Sequence, residues 1–168
     1  FDCQYPCWAK ELATRFKRLP STGNWWDVEI APWASLITEG KMKTALLGGK
    51  AKTILLSATC DPYPPLEEDE LVTKAILLFI RDFNREREIP HKVLILTKSD
   101  LALRDIDLFQ ELDARVGFTL TAPSGVDTFT WEPYAPGNAL RIDALRELHN
   151  RDIKTWVSME PLLVIKDS

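Results

Sequence analysis

Lys92-Val-Leu-Ile-Leu-Thr97, running straight into Lys98-Ser-Asp100, decides how the rest of the chain is read. Four apolar residues in a row, rich in β-branched side chains and bounded by polar ones, read as a strand. A second run of this kind, Lys52-Thr-Ile-Leu-Leu-Ser-Ala-Thr59, has an unbroken apolar centre. That pattern suits a strand covered on both faces, as in a parallel sheet. Between the two, Asp61-Pro-Tyr-Pro-Pro65 ends the first strand, because a proline ring cannot continue a ladder. Residues 67–88 then read as one long amphipathic helix with Leu71, Ala75, Leu78 and Phe79 near one face, stopped by Pro90.

The same alternation continues downstream. A helix is predicted over 101–114 around Leu103, Ile106, Leu108 and Phe109, then a strand over 116–121. A longer loop, 122–137, carries Trp131-Glu-Pro-Tyr134; a helix over 139–150 and a strand over 153–159 follow, ending at Glu160-Pro161. Upstream, residues 34–47 read as a helix weakened by Gly40 and closed by Gly48-Gly49. Residues 25–30 read as a strand and 10–18 as a helix. Strands alternating with helices imply right-handed crossovers, a parallel sheet and an α/β fold.

The 168 residues suffice for one domain with a sizeable core. With 45% hydrophobic and 27% charged residues the chain has the composition of a soluble globular protein, and no apolar run reaches the length of a membrane span. The net charge of -4 gives no support for binding nucleic acid or an anionic membrane. The best basic patch, residues 10–18, reads more simply as a solvated helix face. There is no initiator methionine, so the sequence reads as a fragment. Three cysteines, an odd number, argue against a disulfide framework and for a reducing, cytoplasmic compartment.

In parallel α/β folds, ligands bind at the carboxyl ends of the strands. Those ends hold Ser57-Ala-Thr-Cys-Asp61, Thr97-Lys-Ser-Asp100, Thr119-Leu-Thr121 and Glu160. Lys98, directly after an apolar strand, should point into a mouth or pair with an acid, with Asp100 and Asp61 the nearest in sequence. At the amino terminus, Cys3 and Cys7 bracket Gln4-Tyr-Pro6 just ahead of a helix. A thiol at a helix start leans towards thiolate, the form that ligates metal. A disulfide or two unrelated thiols are the plainer readings. Cys60 reads as a small core residue. Neither His91 nor His149 has a spacing that links it to the cysteines.

Taken in order, Cys3-x3-Cys7 before a helix, Thr59-Cys-Asp-Pro-Tyr-x-Pro-x-Glu67, Leu96-Thr-Lys-Ser-x-Leu-x-Leu-Arg-Asp105, Thr119-x-Thr121, Glu132-Pro-x-Ala-Pro136 and Arg141-x-x-Ala-Leu145 resemble the radical S-adenosylmethionine proteins related to spore photoproduct lyase. The resemblance implies a partial (β/α)6 barrel of the TIM type lacking its first and last strands. It implies a 4Fe-4S cluster held by three thiolates, with S-adenosylmethionine on the open iron. Reductive cleavage then yields a 5′-deoxyadenosyl radical that takes hydrogen from a substrate. Carried over by position, Cys3 and Cys7 are cluster ligands and Tyr5 contacts the adenine. Ser57 and Thr59 hold the amino end, Lys98 neutralises the carboxylate, and Thr119 and Thr121 face the ribose. The family pattern is Cys-x3-Cys-x2-Cys; a third cysteine after Cys7 would fall at Lys10, which cannot ligate, so Cys3 and Cys7 are read as the second and third, with Pro6 an extra residue, and the first is expected ahead of Phe1. A reduced flavodoxin or ferredoxin is the implied electron donor, and lesions in nucleic acid are one implied substrate class.

Two other readings stay open. Lys98 suits a barrel-type lyase acting through a Schiff base, and Cys3 with Cys7 suits a zinc-binding scaffold domain.

Overall fold

The computed structural model describes residues 8–17, 20, 22–23, 41–56, 60–123 and 128–160. It is a mixed α/β structure. In chain order come α1 (Trp8–Arg15), α2 (Lys41–Leu46), β1 (Thr53–Leu56), α3 (Glu67–Glu70), α4 (Val72–Arg87) and β2 (Lys92–Thr97). They are followed by a 3₁₀ helix (Asp100–Asp105), α5 (Ile106–Glu111), β3 (Arg115–Thr119), α6 (Asn138–Asn150) and β4 (Lys154–Ser158). The strands form a four-stranded sheet in the order β1-β2-β3-β4, and every pair is parallel. The strand predicted over 25–30 lies outside the described residues.

Register assigns each side chain to a face. Ile95 aligns with Val116, and Thr97 with Phe118. Val93, Ile95, Val116 and Phe118 are buried against Leu77 and Ile80 of α4, Leu108 and Phe109 of α5, and Ala144 and Leu148 of α6. This is the core. The opposite face carries Leu55, Leu94, Leu96, Gly117 and Trp156, none of which joins that buried cluster. Leu55 is half exposed. The expectation that β1 is covered on both faces is therefore corrected among the described residues, where it is an edge strand partly buried on one side and exposed on the other.

The helix expected over 67–88 is broken. Leu71 takes a left-handed conformation (φ 53°) between α3 and α4. The break lets the Glu67 carboxylate turn back and accept from the Thr73 and Lys74 N–H groups at 2.9 and 3.2 Å. These are orphan donors of the first turn of α4, so the acid substitutes for an N-cap side chain. Residues 101–114 likewise divide into the 3₁₀ helix and α5.

Both α5 and α6 return to the sheet by one device. Asp113 (φ 46°) and Asp152 (φ 60°) sit just beyond the helix ends in the left-handed region. Ala114 N–H then donates to Phe109 C=O at 2.9 Å, and Ile153 N–H to Leu148 C=O at 3.1 Å. These are Schellman closures, and the residue that completes each one is apolar and buried. The Asp113 carboxylate also accepts from Lys92 and Lys154, drawing together the starts of β2 and β4.

His91 ties the start of β1 to that of β2. Its Nδ1 accepts from Lys52 N–H at 3.1 Å, and the Asn84 amide bonds its main-chain N–H and C=O. Burial, and then the charge of Lys52, hold the imidazole pKa below its ordinary value. Above about pH 6.5 folded and unfolded chains both carry neutral histidine. Below that, the unfolded chain takes a proton that the folded one refuses, so stability falls until the folded pKa is passed. Urea midpoints followed from neutral to mildly acid pH should show this fall, and His91→Gln, which keeps an acceptor without titrating, should flatten it.

Gly117 gives a second expectation. A methyl group there would collide with Cε2, Nε1 and Cδ2 of the Trp156 indole lying across it. Gly117→Ala should cost about 1–3 kcal/mol by overpacking. Adding Trp156→Leu should recover most of that loss in the same urea titration.

Candidate functional site

Two interlocked polar networks occupy the carboxyl ends of β2 and β3. The first begins at Asp61. One oxygen of its carboxylate accepts from Thr97 Oγ1 at 2.6 Å and from Tyr63 N–H at 2.9 Å; the other accepts from Lys98 N–H at 2.8 Å. Burial pushes the Asp61 pKa up, and these donors oppose it. Tyr63, fully buried, donates its hydroxyl to Asp105 at 3.1 Å. Burial, the Asp105 charge and that bond raise the phenol well above its ordinary value, so it remains a donor. Arg104 bridges Asp105 and Glu67 at 2.9 Å each and also donates to Glu67 C=O. Thr73 closes the circuit by donating to Pro62 C=O.

The second network centres on Glu132, whose side chain is wholly buried. Its Oε2 accepts from Arg141 Nη2 at 2.7 Å and from Thr121 Oγ1 at 3.0 Å, and its Oε1 faces Lys98 Nζ at 2.7 Å. Arg141 is fully buried and spends its other donors on Thr119 C=O (2.8 Å) and Pro136 C=O (2.7 Å). Burial alone would raise the Glu132 pKa; Lys98 and Arg141 outweigh it and hold the carboxyl below its usual range. The loop from 128 to 137 is thereby pinned over the strand ends. A turn in which Trp131 and Glu132 N–H both bond Thr128 C=O sends Glu132 inward. Phe129, Trp131 and Tyr134 face outward.

The structure brings together Lys98, Thr119 and Thr121 among the expected site residues. Lys98 pairs with Glu132, not with the acids nearest in sequence. Thr121 is fully buried, with its hydroxyl donated to Glu132, and Thr119 is nearly so. Cys60 is exposed, against the expectation of a small core residue. Cys3, Tyr5, Cys7, Ser57 and Thr59 lie outside the described residues. Among the described residues no group of three or more His, Cys, Asp or Glu side chains is placed to hold a metal ion, and no helix is long and apolar enough to cross a membrane. A cleft of about 320 Å³ lined by Leu94, Arg115, Lys154, Thr155 and Trp156 lies towards the other end of the strands, away from these networks.

Glu132 and Arg141 carry the second network, yet neither has an expected role from the sequence. Arg141 did leave a signal: with Ala144 and Leu148 it falls on the buried stripe of α6. A cation on an apolar stripe requires a buried acid.

The chain is similar to uncharacterized protein MJ0683 of Methanocaldococcus jannaschii, 34% identical over 165 residues that make up 96% of this chain and 57% of that protein. It is also similar to uncharacterized protein ORF301 of Acidianus two-tailed virus, 29% identical over 146 residues, or 81% of this chain and 45% of that one. The chain thus spans about half the length of the curated relatives it matches. No family model matches, and no solved structure does either.

The buried pair sets a thermodynamic test. Arg141→Leu leaves Glu132 buried without its fully buried counter-ion and should cost about 3–5 kcal/mol. The double variant Glu132→Leu/Arg141→Leu, which removes both charges, should be more stable in urea than that single variant.

Proposed function

We propose that this chain is part of the core of a radical S-adenosylmethionine enzyme, with its four parallel strands forming one arc of a (β/α)6 barrel. The observation that carries the reading is the convergence of Lys98, Thr119 and Thr121 on one mouth at the carboxyl ends of β2 and β3. Strands in sequential order, helices packed on one face and a second face left partly open all support an arc of barrel. A doubly wound sheet would instead reverse its strand order at a switch point.

Lys98 suits the carboxylate of S-adenosylmethionine, because it places an ammonium at the strand end on a partly exposed side chain. Cys3 and Cys7 would hold iron as thiolates, and the exposed Cys60 stands beside Asp61 at the same mouth. Tyr5, Ser57 and Thr59 would contact the remainder of the ligand. Thr119 and Thr121 shape the floor, where Thr121 commits its hydroxyl to Glu132. When bound, the cluster supplies the electron, drawn from a reduced flavodoxin or ferredoxin in the cytoplasm, that cleaves the sulfonium. The chain's own residues orient the ligand and exclude water. The lyase reading fares worse: Schiff-base formation needs a free amine, and the Lys98 side chain is held in an ion pair with the buried Glu132.

The test is anaerobic reconstitution of the full-length protein with iron and sulfide. The expected outcome is a brown protein that releases 5′-deoxyadenosine from S-adenosylmethionine on reduction. Cys7→Ala should abolish both the colour and the release. A colourless protein that instead takes up zinc stoichiometrically would sink the reading.

A further inference from the structure

Lys98 is held at its main chain and at its ammonium. Asp61 holds its main-chain N–H, and Glu132 meets its ammonium at 2.7 Å. A flexible four-carbon stem would otherwise sample many rotamers at the mouth, and ordering it costs conformational entropy. Glu132 has no such freedom. Arg141 and Thr121 lock one of its oxygens, and the other is left facing Lys98. Charge makes the same point: Glu132 carries one negative charge between two cations, so the Lys98–Glu132–Arg141 group keeps one positive charge. Arg141 is sealed inside and Lys98 is the partly exposed member, so Lys98 is the cation of the group that reaches the mouth.

We propose that Glu132 is the positioning residue of this mouth: held by Arg141 and Thr121, it aims the Lys98 ammonium to receive the carboxylate of an amino-acid-bearing ligand. This rests on the reading above and names how that site selects its ligand. The Glu132–Arg141 pair stays inside as a fixed support, and the ligand carboxylate adds to Lys98 without displacing Glu132.

The test measures equilibrium binding to the reconstituted full-length protein with two probes. S-adenosylmethionine carries the carboxylate; 5′-methylthioadenosine keeps the adenosine and sulfur but lacks the amino-acid part. Lys98→Met and Glu132→Gln should each weaken S-adenosylmethionine about tenfold. Both should leave 5′-methylthioadenosine unchanged, and combining them should add little, since both act on one contact. Thr121→Val, which keeps every charge and removes only one bond to Glu132, is a milder variant should Glu132→Gln not fold; it should show the same selectivity with a smaller loss. Equal weakening of both probes would mean that Glu132 merely supports the fold, and unchanged S-adenosylmethionine binding in Glu132→Gln and Thr121→Val would refute the positioning role. Wild-type protein that binds the cluster yet neither probe would overturn the radical-enzyme reading itself, and the positioning role with it.

Discussion

A single buried carboxylate holds the mouth of this sheet in shape. Asp61, in the segment that follows β1, meets the end of β2 and accepts from Thr97 Oγ1, Lys98 N–H and Tyr63 N–H together. Each donor is a group the chain must satisfy where the ladder of β2 ends. Desolvating an acid there is costly, and three donors converging on two oxygens offset the cost. Everything beyond depends on that fixed corner. Tyr63, its N–H bonded to Asp61, donates its hydroxyl to Asp105, and Arg104 then connects Asp105 to Glu67 and so to the start of α4.

This interlock changes the meaning of the sequence blocks. Asp61-Pro-Tyr63 and Glu67 belong to one stretch, Thr97-Lys98 and Arg104-Asp105 to another, and Asp61, Tyr63 and Glu67 each bond a residue of the second. Their residue types are set first by complementarity to one another. Lys98 stands apart because its main chain serves the interlock while its side chain belongs to the second network. That is why it is the residue through which the scaffold meets the mouth.

The sheet was legible because strand runs are local. Residues 92–97 coincide with β2; β1 begins one residue inside the run expected over 52–59, β3 begins one residue before the run expected over 116–121, and β4 lies within that expected over 153–159. The break at Leu71 was not legible. The apolar spacing of Leu71, Ala75 and Leu78 stays in helical phase across it, and the reason for the break, Glu67 capping α4, appears only once the chain has turned. The return turns were hidden for a related reason. Asp113-Ala-Arg115 and Asp152-Ile-Lys154 share a left-handed aspartate, a buried apolar residue and a basic strand start, but glycine is the usual marker of such a turn and neither has one. The partner of Lys98 was out of reach as well. Asp100 and Asp61 were nearer candidates, and only the turn at Thr128 makes Glu132 closer in space.

The Glu132–Arg141 pair poses an energetic question that stability does not answer. Replacing a buried ion pair by apolar side chains of similar volume is often neutral or favourable, so such a pair is weak support for the fold as a fold. What apolar residues could not do is fill three fixed roles at once. The pair receives the Thr121 hydroxyl, satisfies the Thr119 and Pro136 carbonyls where strand and loop end, and presents one oriented oxygen to an ammonium at the mouth. The first two roles satisfy polar groups that lie next to the pair. The third directs a charge towards solvent at the end of a parallel strand, where parallel α/β folds put their ligands. A structural pair would have been complete with Arg141 alone. The additional cation is what gives the buried support a side that reaches the strand ends.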